Sequence, residues 1–111
     1  MRLKVCLVGP AKSGKTHFVN ALLGKNIFGY VSTSGVVIDK TTFSRIDLEL
    51  WDIGFKEGIN HIMDAHGVIQ FGNDPLYKVN LNVPIVSVLD YQEDEEFDIL
   101  RSLIELMLRK E

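Results

Sequence analysis

Cysteine is all but missing from this chain. Cys6 is the only one in 111 residues, so an internal disulfide framework is excluded. Cys6 sits in an apolar run and reads as a small buried hydrophobe in a chain suited to a reducing compartment. Positive charge is not in excess either. Lys and Arg number 12 against 15 Asp and Glu, and the net charge of −3 offers no basic footprint for nucleic acid. No apolar stretch is long enough to span a bilayer, and no secretory leader pattern opens the chain. Residue 2 is Arg rather than the Gly that N-myristoylation needs, and Arg109-Lys110-Glu111 holds no prenylation cysteine. The expectation is a cytoplasmic protein without a membrane anchor. His17, His61 and His66 lack metal-ligand spacing and read as structural. Repeats, low-complexity tracts and linkers are absent, so residues 1–111 read as one domain. An apolar fraction of 46% can fill one core.

What is present is a phosphate loop. Gly9-Pro10-Ala11-Lys12-Ser13-Gly14-Lys15-Thr16 fits G-x-x-x-x-G-K-[ST]. Leu3 to Val8 before it is a β-rich apolar run, and Phe18, Val19, Leu22 and Leu23 after it repeat at helical spacing. Gly9 and Gly14 let the backbone turn where a side chain would block it. The N–H groups from Gly9 through Ala11, Lys12, Ser13 and Gly14 to Lys15, Thr16 and His17 then face a phosphate chain, with the positive end of a helix dipole behind them. Lys15 reaches the β- and γ-phosphates, and the Thr16 hydroxyl holds Mg²⁺. The plain alternative is a glycine turn between strand and helix with Lys15 in solvent.

Further along, Gly24 is placed to end the first helix and 25–34 reads as a loop. Gly35 to Phe43 and Ile46 to Trp51 read as strands joined at Ser44-Arg45. Ile46, Leu48 and Leu50 alternate with Asp47 and Glu49. A short helix is expected over 57–65, then strands over Gly67–Phe71 and Val83–Leu89, then a long helix over Asp94–Lys110. That helix is acidic at its start, basic at its end and broadly apolar. Residues 72–82 are too short and too rich in turn residues for a helical crossover. Either they form a bare loop or the next strand is not a parallel neighbour, and one sheet face is left for a partner.

The chain resembles a shortened small GTPase of the Ras superfamily. The residues that carry the resemblance are Leu7-Val8-Gly9-Pro10, Ser13-Gly14-Lys15-Thr16, Thr33-Ser34-Gly35-Val36, Leu50-Trp51-Asp52 and Asp64-Ala65-His66-Gly67-Val68. Gly9-Pro10 and Asp64 to Gly67 are most similar to the Rab-like subunit of intraflagellar transport. The resemblance implies an α/β, three-layer P-loop fold with a mostly parallel sheet, here lacking at least one helix and one strand. It implies GTP or GDP with Mg²⁺ as cofactors, and Thr33 and Asp52 as metal residues beside Thr16. Tyr30 would close over the phosphates and Phe28 would stack on the purine, unless both simply pack on the sheet edge. The resemblance also implies a protein partner in a transport complex, a coiled coil, with a cilium or flagellum as its place.

Departures from the family are equally informative. Asp52-Ile53-Gly54-Phe55 puts glycine one place earlier than Asp-x-x-Gly. The residue that follows, a water-orienting glutamine in the family, is Lys56. Slow or absent hydrolysis follows, and no catalytic residue is assigned. The Asn-Lys-x-Asp base motif is missing. If 83–89 is the family's fifth strand, Asp90, Tyr91, Gln92 and Glu93 stand in its place, but an acidic, solvated cap on the last helix accounts for the same residues without a ligand and is the preferred reading. If it is the sixth, the middle of the fold is excised. Three functions remain: a nucleotide-dependent binding module, a small P-loop ATPase or phosphotransferase, and a scaffold that has lost its nucleotide.

Overall fold

A computed structural model describes residues 2–10, 13–23, 30–31, 37–53, 64–74, 82–92 and 94–109, with the backbone alone for Thr16, Tyr30 and Val31. In chain order the elements are β1 (Arg2–Val8), α1 (Lys15–Leu23), β2 (Tyr30–Val31), β3 (Val37–Phe43), β4 (Ile46–Ile53), β5 (Gly67–Phe71), β6 (Ile85–Val88) and α2 (Glu96–Arg109). They form one six-stranded sheet in the order β2-β3-β4-β1-β5-β6.

β1 is at the centre because both of its faces are apolar. Leu3, Val5 and Leu7 point one way and Cys6 and Val8 the other, and all five are buried. A strand that is apolar on both faces belongs inside a parallel sheet. Its neighbours are indeed parallel: β4 pairs from Arg2↔Asp47 to Val8↔Ile53, and β5 from Val5↔Gly67 to Val8↔Gln70. Only β2/β3 and β3/β4 run antiparallel.

Both described helices pack on the Leu3–Val5–Leu7 face. Phe18 and Val19 of α1 and Leu100, Leu103 and Ile104 of α2 join Leu48, Leu50, Ile69 and Phe71 in one buried cluster. Burying such a side chain contributes about 1.5–3 kcal/mol. On α2 the apolar stripe is wider than the core needs. Leu106 and Leu108 are exposed, and Phe97 lies partly open, stacked on Phe43 at 6.2 Å. Among the described residues no helix is long and apolar enough to cross a membrane.

Cys6, Val8, Ile38, Ile53, Ala65 and Val68 form a second cluster on the opposite face. Cys6, Val8 and Val68 have at most 1% exposure, so the centre of that face is closed rather than left open as expected. Burial pushes the Cys6 thiol up to about 12. At the edge of the second cluster, the Lys4 N–H donates to His66 Nδ1 and the His66 N–H donates to the Lys4 carbonyl, so His66 is structural. The Lys4 ammonium meets the Asp64 carboxylate and lies 3.9 Å over the Trp51 ring.

Several boundaries differ from the sequence reading. Tyr30 and Val31 are not loop but a short strand, since their backbones find Ile38 and Val37 to pair with. β4 runs on to Ile53. β6 is shorter than 83–89. Pro84 stays outside it, its carbonyl accepting from Val68 N–H, because proline has no N–H for a ladder. β6 is a parallel neighbour of β5, which settles that alternative, while 75–81 lie outside the described residues. The last helix begins at Glu96 rather than Asp94, whose φ of 74° is not helical. Glu95 caps it: the Glu95 carbonyl accepts from Ile99 N–H, and its carboxylate accepts from Gln92 N–H. Asp64 and Ala65 are not helical, and 57–63, Gly24 and Lys110 lie outside the described residues.

The β3–β4 turn holds a testable strain. Ser44 and Arg45 have φ of 50° and 67°, the mirror-image turn that asparagine and glycine favour. Each non-glycine residue there costs about 1–2 kcal/mol. The double variant Ser44→Asn/Arg45→Gly is expected to gain about 1–2 kcal/mol in urea unfolding, with no change in the slope.

Candidate functional site

The site forms where β1 and β4 end and α1 begins. β1 stops at Val8 because the chain must turn, and Gly9 makes the turn at a φ of 148°. A Cβ at Gly9 would lie 2.6 Å from the Phe71 carbonyl oxygen, so only glycine fits beside β5. The Ser13 N–H donates to the Pro10 carbonyl at 3.3 Å and closes the loop. The Gly14 carbonyl then accepts from Phe18 N–H at 2.9 Å, the first bond of α1. A helix that starts this way turns its first N–H groups, which have no intrahelical acceptor, toward the loop.

Lys15 is folded into this loop. It is only 6% exposed, and its Nζ donates to the Gly9 carbonyl at 2.7 Å and the Pro10 carbonyl at 3.1 Å. Asp52, near the end of β4, places Oδ1 4.0 Å from that Nζ. Burial lowers the Lys15 pKa and raises that of Asp52, and each is partly offset by the charge of the other. Ser13 Oγ is buried and has no hydrogen-bond partner. An unpartnered buried hydroxyl, a buried ammonium and a strand-end carboxylate on one loop are donors and an acceptor waiting for a polar ligand. They suit a phosphate chain with a divalent cation.

The family model for the ADP-ribosylation factor family matches residues 1–66, more than half of the chain. The chain belongs to the ADP-ribosylation factor family. It is thus a P-loop small GTPase of the Ras superfamily, with guanine-nucleotide binding as the family's property. A search of curated proteins gives no match. Among solved structures this family member is similar to the cytosolic domain of the T. maritima FeoB iron transporter in GDP form II. That likeness has 18% identity and a TM-score of 0.70 over 99% of this chain and 65% of the other. The apo form of the same domain gives 17% and 0.61, over 97% of this chain and 64% of that one. The T. maritima FeoB G domain gives 20% and 0.54, over 96% and 67%. At these identities the likeness shows the fold alone: a shortened small-GTPase-like α/β domain with a mostly parallel sheet. The chain spans less than two thirds of the length of the two FeoB cytosolic-domain structures.

The structure brings Gly9, Ser13, Gly14, Lys15 and Asp52 together. The backbone of Thr16 lies in the first turn of α1. His17 is exposed on that helix, its ring 6.1 Å from the Tyr91 ring. Tyr30 pairs at the sheet edge, three strand positions from β1. Ala11, Lys12, Phe28, Thr33, Gly54, Phe55, Lys56 and Glu93 lie outside the described residues.

Tyr91, read from the sequence as standing in the base motif or in the helix cap, lies beside the phosphate loop, and a second residue near the site was not singled out from the sequence at all. Tyr91 packs edge-on against Phe18 at 5.7 Å, lies beside the Gly14 backbone, and donates its hydroxyl to Glu96 at 2.6 Å. That bond holds the Glu96 carboxyl below its usual range. Gln92 Nε2 donates to Asp90, so Asp90, Gln92, Glu95 and Glu96 form the helix-cap network that was one of the two readings of this segment. The other residue is Asp39 on β3, buried at 6% exposure, with its pKa raised by that burial. An aspartate flanked by Val36-Val37-Ile38 and Lys40 looks like the wet side of an edge strand. Only the register, Asp39 opposite Leu50, shows it facing the core.

Proposed function

We propose that this chain is a guanine-nucleotide-dependent switch or pseudo-GTPase that binds a protein partner and hydrolyses GTP slowly or not at all. The single observation that supports it most is Lys15, held in the loop by two carbonyls with Asp52 at 4.0 Å. Phosphate oxygens would take the Lys15 ammonium from those carbonyls, and the N–H groups of Ala11, Lys12, Ser13, Gly14, Thr16 and His17 would line the same chain. Thr16, Thr33 and Asp52 would hold Mg²⁺, which would neutralise phosphate charge. Phe28 and Tyr30 would flank the base and phosphates, and Gly54 would approach the γ-phosphate.

Slow hydrolysis follows from Lys56. A lysine cannot orient a water as the family's glutamine does. The partner reading rests on the exposed Leu106 and Leu108 of α2 and on the likeness to the Rab-like subunit of intraflagellar transport. On that likeness the partner is a coiled coil of a transport complex, and the protein works in the cytoplasm of a cilium or flagellum.

The experiment is to denature purified protein and identify the released nucleotide, then follow single-turnover GTP hydrolysis. GDP or GTP is expected in the released fraction, with hydrolysis no faster than about 10⁻³ s⁻¹. Bound ATP would favour a small ATPase or phosphotransferase. No bound nucleotide, together with no thermal shift on adding Mg²⁺–GDP or Mg²⁺–ATP, would favour a scaffold. Fast turnover lost in Lys56→Ala would overturn the slow-hydrolysis reading.

A further inference from the structure

Asp39 is more than nine-tenths buried, and among the described residues no hydrogen bond or ion pair meets its carboxylate. Burying an acid is costly, and the fold keeps this one where threonine or valine would serve β3 better. Its position gives a reason. The ladder sets Val37 opposite Asp52 and Asp39 opposite Leu50, so Asp39 and Asp52 are diagonal neighbours on one sheet face. Diagonal neighbours lie about 7–8 Å apart at Cα, within reach of one shared hydrated ion. That face is the one carrying α1 and the phosphate loop. Among the described residues two carboxylates there meet one ammonium, Lys15, which is already bonded to two carbonyls. Among these described groups positive charge is short by one unit, and by two once phosphates draw Lys15 away.

We infer that Asp39 is a positioning residue for the Mg²⁺ site, an outer acceptor for the water ligands of the ion beside Asp52. The inference rests on the Mg²⁺–nucleotide reading above. It does not ask Asp39 to bind the metal directly. Among the described residues no three His, Cys, Asp or Glu side chains could hold a metal by themselves, and the inner ligands would be hydroxyl, phosphate and water oxygens. Outer partners of this kind orient the inner shell, and losing one costs about 10–100-fold in metal affinity.

The test uses the full chain, stripped of nucleotide and then loaded with mant-GDP, titrated with Mg²⁺ and compared with Asp39→Asn and Asp52→Asn. Asp39→Asn should raise the Mg²⁺ concentration for half-maximal nucleotide retention about tenfold. In EDTA it should bind mant-GDP at least as tightly as the unaltered chain, because one negative charge near the phosphates is gone. Its nucleotide-free form should melt at a higher temperature, because the amide is cheaper to bury than the carboxylate. A merely structural Asp39 would give a lower melting temperature and weaker binding in EDTA, and either result overturns the inference. So does an Mg²⁺ requirement within twofold of the unaltered chain while Asp52→Asn is shifted. If neither variant shifts the requirement, the Mg²⁺–nucleotide reading itself fails and takes this inference with it.

Discussion

Lys15→Ala is expected to lose nucleotide binding by two to three orders of magnitude while the chain still folds. The Lys15 ammonium is the one described positive charge inside the loop, bonded at 2.7 and 3.1 Å to the Gly9 and Pro10 carbonyls. Removing a buried, hydrogen-bonded charge from a complex costs about 2–5 kcal/mol, which is roughly 30-fold to several thousandfold in affinity. The fold survives because Lys15 belongs to neither buried apolar cluster, and because removing the lysine relieves the burial that lowers its pKa. Calorimetric titration with Mg²⁺–GDP and a melting scan of the ligand-free protein check the two halves. An unchanged affinity in a folded variant would remove the main support for the phosphate loop as a working site.

Gly9→Ala is expected to do the opposite: to damage the fold first. The new methyl group would sit 2.6 Å from the Phe71 carbonyl oxygen and 3.0 Å from Phe71 Cβ, both on the neighbouring strand, and the φ of 148° is one an alanine rarely adopts. Neither obstacle can swing aside. β1 and β5 would have to separate at their ends, and the cost is about 2–4 kcal/mol. That is roughly 10 °C or more in melting temperature for a domain of this size. Gly72→Ala provides the control. Its φ is 78° but nothing lies within 4 Å of the added methyl, so it carries the backbone strain without the collision. It should lose about 1 kcal/mol. Equal losses at the two positions would show that the close approach of β5 is not what fixes Gly9.

The framework was legible where short-range pattern and tertiary demand agree. β1, α1, β5 and the β3–β4 hairpin are found within a residue or two of where apolar runs, helical spacing and alternation put them. The phosphate loop was legible because its glycines, lysine and threonine are fixed by chemistry that allows few substitutes. β2 was not, since two residues have no period to read and become a strand only because β3 offers them a ladder. Pro84 and Asp94 mark where sequence reading runs too long. Apolar neighbours and a favourable dipole argued for extending β6 and α2, while the missing N–H of one and the left-handed backbone of the other end them. Asp39 shows the same gap in the site. Its charge argued for solvent, and only the pairing of β3 with β4 turns it inward. Tyr91 beside Gly14 depends on a contact across most of the chain, which no local pattern encodes.

One further consequence belongs to β1. It is the strand with a long parallel ladder on each side, seven paired positions toward β4 and four toward β5, and the loop grows directly from its last residue. Peeling that strand away would dismantle most of the sheet, so ligand release must leave it in place and proceed by rearrangement of what hangs from its end. The amides of Val5 to Leu7 should therefore exchange slowest, as a clock for whole-molecule opening that a bound ligand slows through its stabilisation of the folded state.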